Sequence, residues 1–477
     1  MSSHVTLPLW VVAVLALLAA LGAVDRLLLP GVRWFLRRRV NIVLDEIGKR
    51  LDLEIRPFTL TKRQVLIDRL MYDPKVLEAA GANAIERGTP REVVMADVER
   101  YAREIVPAFN AYAYFRMGYW IARRIARLLY RVRVGFTDEE GLSRVDPRST
   151  VVFVMNHRSN MDYVLVAYLA ATRTALSYAV GEWARIWPLQ TLVRTMGAYF
   201  IRRDSKDPLY RLVLERYVAM ATEGGVVQAI YPEGGLTKDG ALRAPRLGLL
   251  DYMTRSFDPK GARDIVFIPV GINYDRTLED RSQVLALEPK APRRGPGFAA
   301  ATFLGFLARN LLLMLRGRWY RFGYACVNFG SPLSMRAYSR ERGIDLRALP
   351  REERFLEMEK LAATLMRSVG RVVPVLPVSL VATVLLRLPE GGRSELELKA
   401  EVLRVIGELS EAGAHIYIPR ADQDYAVTVG LRMLTLRKLV SEEDGLYSPR
   451  PEELPLLRYY ANSIRHLFPG TGRESPA

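Results

Sequence analysis

Residues 151–163 read VVFVMNHRSNMDY. An uncharged apolar run of strand length, Val151–Met155, gives way at Asn156 to a polar loop. Beyond the loop, YVLVAYLAA is apolar enough to be a core-packed helix. A strand passing into a helix is the start of a βα unit, and such units build parallel sheets flanked by helices. The loop carries His157, one of only four histidines, and Asp162 five positions on. An imidazole ionises near neutral pH, and a histidine with an orienting carboxylate suits a general base. No nucleophile motif accompanies the pair, so the base would act on a group that arrives from outside. A local reading competes: Ser159–Asp162 also fits a capping box, with Ser159 as cap and Asp162 returning a hydrogen bond. On one helix two side chains five apart stand roughly 140° apart. They meet only if His157 lies ahead of the helix and folds back over its first turn.

Apolar runs of the same kind recur downstream: ALSYAV (175–180), GGVVQAIYP (224–232), DIVFIPVGI (264–272) and GYACVNFG (323–330), separated by helix-length segments. This alternation predicts an α/β fold with a central, mainly parallel (mixed) sheet and flanking helices. Ligands of such sheets bind beyond the carboxyl ends of the strands, where NHRSNMD and the segment after QAIYP both fall. Helical texture flanks this core, and four stretches follow: a membrane anchor with a basic flank at 1–40, a helical N-terminal region at 41–135, an α/β catalytic domain at 136–345 and a helical C-terminal region at 346–477.

The anchor reading rests on the first 24 residues, which hold no acidic, lysine or arginine side chain. Val5–Val24 reaches the ~20 residues that span a bilayer. Arginines at 26, 33 and 37–39 follow, an asymmetry that places the remainder on the cytoplasmic face of the cell membrane. An interfacial helix is the alternative. Tyr119–Val134 alternates apolar and arginine residues and suits either an acidic lipid surface or a solvated charged face. Phe298–Leu315 carries a single charge, Arg309, between arginine flanks, and reads as a buried or membrane-dipping helix. Val372–Leu386, with two prolines, reads as core.

A net charge of +17 over 477 residues, with a pI near 9.9, implies an anionic partner. No zinc-ligand spacing or aromatic-basic RNA-binding motif is present, which weighs against nucleic acid. The single cysteine, Cys326, excludes an intramolecular disulfide framework and sits where a buried, inert thiol is expected. G-x-S-x-G, H-E-x-x-H and P-loop patterns are absent, and GPGFAA (295–300) follows no strand. No serine hydrolase, metal site or nucleotide site is supported.

Three further segments carry chemistry. GAYFIRR (197–203) offers Arg202 and Arg203, whose guanidinium groups suit a phosphate monoester; a solvated basic turn is the alternative. YPEGGLTKDG (231–240) turns at a strand end, where Gly234 and Gly235 permit positive φ and Glu233 can accept hydrogen bonds from hydroxyls. VFIPVGINYDR (266–276) is a proline-containing strand expected to line an apolar pocket.

In series, NHRSNMDY, GAYFIRR, YPEGG and FIPVGINY resemble the four motif blocks of the glycerolipid acyltransferases, most closely the glycerol-3-phosphate and dihydroxyacetone-phosphate branch. They span roughly 155 to 275, and the C-terminal YYANSIRHLF (459–468) is also similar to this branch. The resemblance implies transfer of a fatty acyl group from acyl-CoA or acyl carrier protein to the sn-1 hydroxyl of glycerol 3-phosphate, at a membrane lipid surface. It implies His157 as the base and Asp162 as its orienting partner. Substrate binding would fall to Arg158, Ser159, Arg202, Arg203, Glu233, Gly234, Gly235 and Lys238, with no metal and no cofactor. Dihydroxyacetone phosphate or a lysophospholipid as acceptor, and a non-catalytic lipid-binding homologue, are the alternatives. The third block departs from the family: where Arg-Ser-Arg usually follows EGG, this chain has Leu236, Thr237 and Lys238. One phosphate-binding arginine is thus missing and the other is a lysine, with Arg243 and Arg246 nearby as substitutes.

Overall fold

The computed structural model describes residues 58, 61–109, 118–170, 176–181, 189–202, 205–288, 321–389 and 391–468. The expected anchor at 1–40, the apolar stretch 298–315 and Arg203 lie outside the described residues. Among the described residues, no helix is long and apolar enough to cross a membrane.

Eight strands form one sheet: β1 (Arg131–Thr137), β2 (Thr150–Met155), β3 (Ser177–Val180), β4 (Tyr199–Phe200), β5 (Gln228–Ile230), β6 (Ile265–Tyr274), β7 (Tyr324–Phe329) and β8 (Leu333–Ser334). Their order is β1-β7-β6-β2-β5-β3-β4, with β8 paired to β6. Neighbours are parallel except at β6–β7 and β6–β8. Every residue of β2 and β6 is buried, as strands covered on both faces require; such strands read as continuous apolar runs rather than alternating ones. The sheet is therefore the mixed, mainly parallel one expected. It begins at Arg131, ahead of the domain boundary at 136 that the sequence texture suggests.

Helices α1 (Arg63–Met71), α2 (Pro74–Arg87) and α3 (Arg91–Ile105) precede the sheet, followed by α4 (Tyr119–Leu129), α5 (Met161–Ala170) and α6 (Pro208–Glu223). Val98 and Ile105 of α3, Val213 and Tyr217 of α6, and Val152 and Val154 of β2 share one core cluster. Residues 63–105 are thus packed into the sheet's own core.

Helix α4 turns its small residues inward. It packs on α5 and buries Ala122, Ala126 and Leu129, while Trp120 (55% exposed), Ile125 (37%) and Leu128 (48%) face outward. Small side chains let α4 approach its neighbour closely, and the bulkier apolar groups are left outside.

After β8 come α7 (Arg351–Arg371), α8 (Pro377–Arg387), α9 (Glu395–Glu411), α10 (Gln423–Leu436) and α11 (Leu454–Asn462). Pro377 stands at the start of α8, where its missing N–H is not needed, and α8 is buried among α9, α10 and α11. Val372–Leu386 is core, as its composition indicates. The C-terminal region also carries a small antiparallel sheet, ordered β10-β11-β9, of β9 (Arg393–Ser394), β10 (Val440–Glu443) and β11 (Leu446–Pro449).

Candidate active site

Strand β2 lies between β5 and β6 and runs parallel to both, so the loops after Met155, Ile230 and Tyr274 leave the same edge. The first of these is fixed by Asn156. Its side chain donates to the Ile272 carbonyl (2.9 Å) and accepts from the Ile272 N–H (2.8 Å), extending the β2–β6 ladder by side chain where the backbone turns away. Asn156 has room for both bonds because its amide carries a donor and an acceptor.

His157 follows in the loop, and its Nδ1 stands 2.9 Å from Asp162 Oδ2. The geometry meets the condition set by helix spacing, since α5 begins only at Met161. Asp162 Oδ2 also accepts from the Arg158 N–H (2.8 Å) and the Ser159 N–H (3.1 Å), while Oδ1 accepts from the Tyr274 hydroxyl at 2.6 Å. The bond to Ser159 N–H is the returning half of a capping box, and Ser159 Oγ accepts from the Met161 N–H (3.1 Å). Capping and the His–Asp contact therefore coexist. With Asp162 accepting at Nδ1, the proton is assigned to Nδ1, which leaves Nε2 as the acceptor. The Tyr163 hydroxyl lies 3.5 Å from Nε2, and the Tyr231 ring stacks on the imidazole at 4.1 Å. His157 and Asp162 are 2% and 0% exposed.

The second loop encloses the first from below. Glu233 accepts from the His157 N–H (3.1 Å), and the Thr237 N–H donates to the His157 carbonyl (3.1 Å). Burial pushes the Glu233 carboxyl up to about 8, against the backbone N–H groups of His157 and Arg243 and the charges of Arg158 and Arg243. Gly234 takes φ +68, a left-handed conformation that favours glycine, and the nearest group a Cβ would meet is the mobile side chain of exposed Arg246. Gly235 is buried in the same turn, and Lys238 is exposed on the loop beyond it. Leu236 is partly buried, and its carbonyl receives Arg243 Nη1 at 3.4 Å.

Of the other expected basic positions, Arg158 and Arg202 are engaged. Arg158 donates to the Gly240 carbonyl and lies 4.7 Å over the Tyr459 ring. Arg202 forms a two-pronged pair with Glu104 (3.0 and 2.6 Å) and stacks between Tyr101 and Tyr210. Ser159 Oγ donates to Glu279 at 2.7 Å, and the Asn160 N–H reaches the same carboxylate at 3.2 Å. Burial raises Glu279 to about 7, against these two hydrogen bonds. Sequence reading passed over Tyr163, Tyr231, Tyr274 and Glu279. Tyr274 and Glu279 lie more than a hundred residues from the loop they contact, and no local pattern announces such a pairing.

The C-terminal region closes the far side. Tyr459 of α11 donates to the Arg158 carbonyl (3.4 Å), Asn462 to the Asp239 carbonyl (2.9 Å), and Tyr460 to Asp280. A buried, hydrogen-bonded base, flanked by a glycine turn and arginines, is equipped to take a proton from an anionic alcohol.

Residues 134–273 match the acyltransferase family model, and residues 309–470 match that of the glycerol-3-phosphate acyltransferase C-terminal region. Glycerol-3-phosphate acyltransferases of Xylella fastidiosa (strain M23) and Pseudomonas entomophila (strain L48) are each 26% identical to this chain, over 452 and 424 residues. The alignments cover 90% and 86% of this chain but 50% and 49% of those proteins. The chain thus spans about half the length of the curated relatives it matches. The crystal structure of a 1-acyl-sn-glycerophosphate acyltransferase from Thermotoga maritima overlaps 64% of this chain and 95% of its own, at 15% identity and a TM-score of 0.30. At that score the overlay adds nothing to the topology described above.

Proposed function

We propose that this chain, which is similar to glycerolipid acyltransferases over residues 134–273 and 309–470, transfers a fatty acyl group from an acyl thioester to the sn-1 hydroxyl of glycerol 3-phosphate. The observation that carries the reading is the buried His157–Asp162 pair, with Nδ1 held at 2.9 Å and Nε2 turned away from the carboxylate. Nε2 removes the acceptor's hydroxyl proton as the oxygen attacks the thioester carbonyl. The tetrahedral oxyanion collapses, the carbon–sulfur bond breaks, and the proton on Nε2 passes to the departing thiolate. Ester and thiol result, with no acyl-enzyme, metal or cofactor in the sequence of steps. General base catalysis contributes about 10²–10⁴-fold, so positioning must supply much of the remainder.

The acceptor's phosphate is assigned to the arginines that flank the EGG turn. Leu236 occupies the usual arginine position, and Arg243 comes nearest to replacing it, with its guanidinium against the Leu236 carbonyl and its charge felt at Glu233. Arg202 is already paired with Glu104; its contribution to phosphate binding would require that pair to open. Lys238, being exposed, serves only as a point charge.

Membrane attachment rests on α4 and on the apolar N-terminus. Helix α4 has no acidic residue and exposes Trp120, Ile125 and Leu128 beside Arg124, a surface complementary to anionic lipid. The catalytic residues then face the cytoplasm, where either acyl-CoA or acyl carrier protein is the donor.

The deciding assay supplies purified protein with a labelled acyl thioester and three acceptors: glycerol 3-phosphate, dihydroxyacetone phosphate and a lysophospholipid. Preference for glycerol 3-phosphate, and a loss of about 10²–10⁴-fold in kcat for His157→Ala, are expected. Wild-type activity in His157→Ala would remove the mechanism, and preference for a lysophospholipid would remove the branch assignment.

A further inference from the structure

Tyr274 closes β6 with its side chain fully buried, and its hydroxyl donates to Asp162 Oδ1 at 2.6 Å. The opposite carboxylate oxygen, Oδ2, carries His157 Nδ1 and the two backbone N–H groups of Arg158 and Ser159. The Tyr274 ring is itself held, with Tyr130 tilted against it at 5.2 Å and the Tyr130 hydroxyl anchored on the Arg276 carbonyl (2.8 Å). Burial and the neighbouring carboxylate keep the phenol protonated, and so a donor.

We propose that Tyr274 is a positioning residue for the base. It holds Asp162 Oδ1, fixes the plane of the carboxylate, and so leaves Oδ2 as the oxygen that receives the His157 Nδ1 proton. The terminal torsion of an aspartate is broad and roughly two-fold, so a carboxylate held on one oxygen only can rock or exchange its oxygens. With both held, the imidazole is confined to one tautomer and one orientation, and Nε2 points where the acceptor must arrive. Glu279, five residues on, holds Ser159 and Asn160, so the end of β6 and the turn after it secure both halves of the loop. The proposal rests on the reading of His157 as the base.

The test is Tyr274→Phe in the full chain, which removes one hydroxyl and keeps the ring. We expect kcat to fall about 10- to 100-fold, with KM for thioester and acceptor within about two-fold. The titratable groups around the imidazole are Asp162, Tyr163, Tyr231 and, through the backbone, Glu233. Freed of one donor, Asp162 stabilises the imidazolium more strongly, so the acid limb of the pH–rate profile moves to higher pH. In an Asp162→Ala background, Tyr274→Phe should have no further effect. Wild-type kcat and pH profile in Tyr274→Phe, or an equal loss in both backgrounds, overturns the proposal. If Tyr274→Phe fails to fold, 3-fluorotyrosine at 274 strengthens the donor and should move the acid limb to lower pH; an unmoved limb overturns the proposal. Retained activity in His157→Ala removes the base reading itself, an outcome separable from either result at Tyr274.

Discussion

At the scale of single residues, the proposed phosphate contact turns on which guanidinium groups near His157 stay available. Arg158 gives one nitrogen to the Gly240 carbonyl and lies over Tyr459 but keeps Nε and Nη2 unpartnered, while Arg202 is paired with Glu104. Arg243, exposed beside the EGG turn, is the guanidinium best placed for an incoming anion. Arg243→Ala should therefore raise KM for glycerol 3-phosphate about ten-fold or more, since a charge-assisted bond contributes on the order of 1.5–3 kcal/mol, and should leave KM for the thioester unchanged. Steady-state kinetics with each substrate varied separately decides this, and an unchanged acceptor KM refutes the assignment. The His–Asp pair was legible in the sequence because its two members lie five residues apart, one on the loop and the other in the first turn of α5. The anionic grip was legible only as a departure at Leu236; which arginine answers for it depends on how the chain folds back at Arg243.

At the scale of elements, β2 and β6 were readable as strands because burial on both faces makes them uninterrupted apolar runs. Helix α4 was readable as a helix but not in its orientation. Ile121, Ile125, Leu128 and Leu129 form the obvious apolar face, yet Ala122 and Ala126 are the residues turned inward with Leu129. Close approach to α5 favours small side chains, a preference that hydropathy does not register. The outward Trp120 makes the proposed lipid contact measurable. In vesicles containing brominated anionic lipid, the intrinsic fluorescence of the full chain should be quenched, and Trp120→Phe should remove a resolvable share of that quenching. An identical quenched fraction in the variant would show that α4 does not reach the bilayer.

At the scale of the whole molecule, burial makes several carboxyls hold their protons unusually well. Glu233 is pushed up to about 8 and Asp275 to about 7, both by burial and against the N–H groups they accept from. Unfolded, such groups titrate near 4, so between roughly pH 4 and 8 the folded state holds more protons than the unfolded one. Stability must then fall as pH rises through that window. His466, lowered by burial, opposes this only below about pH 6.5, which leaves the upper part of the window to the carboxyls. Tm should decline between about pH 6.5 and 8.5, and Asp275→Asn should flatten part of the decline. A Tm that rises across this range would contradict the assignment.

The contact between Tyr459 and the Arg158 carbonyl joins positions 301 residues apart. Closing so long a loop carries an entropy cost that local contacts cannot offset early in folding. A chain emerging residue by residue presents His157 and Asp162 long before Tyr459 exists, and domains tend to fold from the N-terminal side as they are made. The sheet can therefore be complete while its reactive edge is still without its last wall. Enclosure of the site waits for Tyr459, and a chain that has not yet reached it carries His157 and Asp162 without that wall.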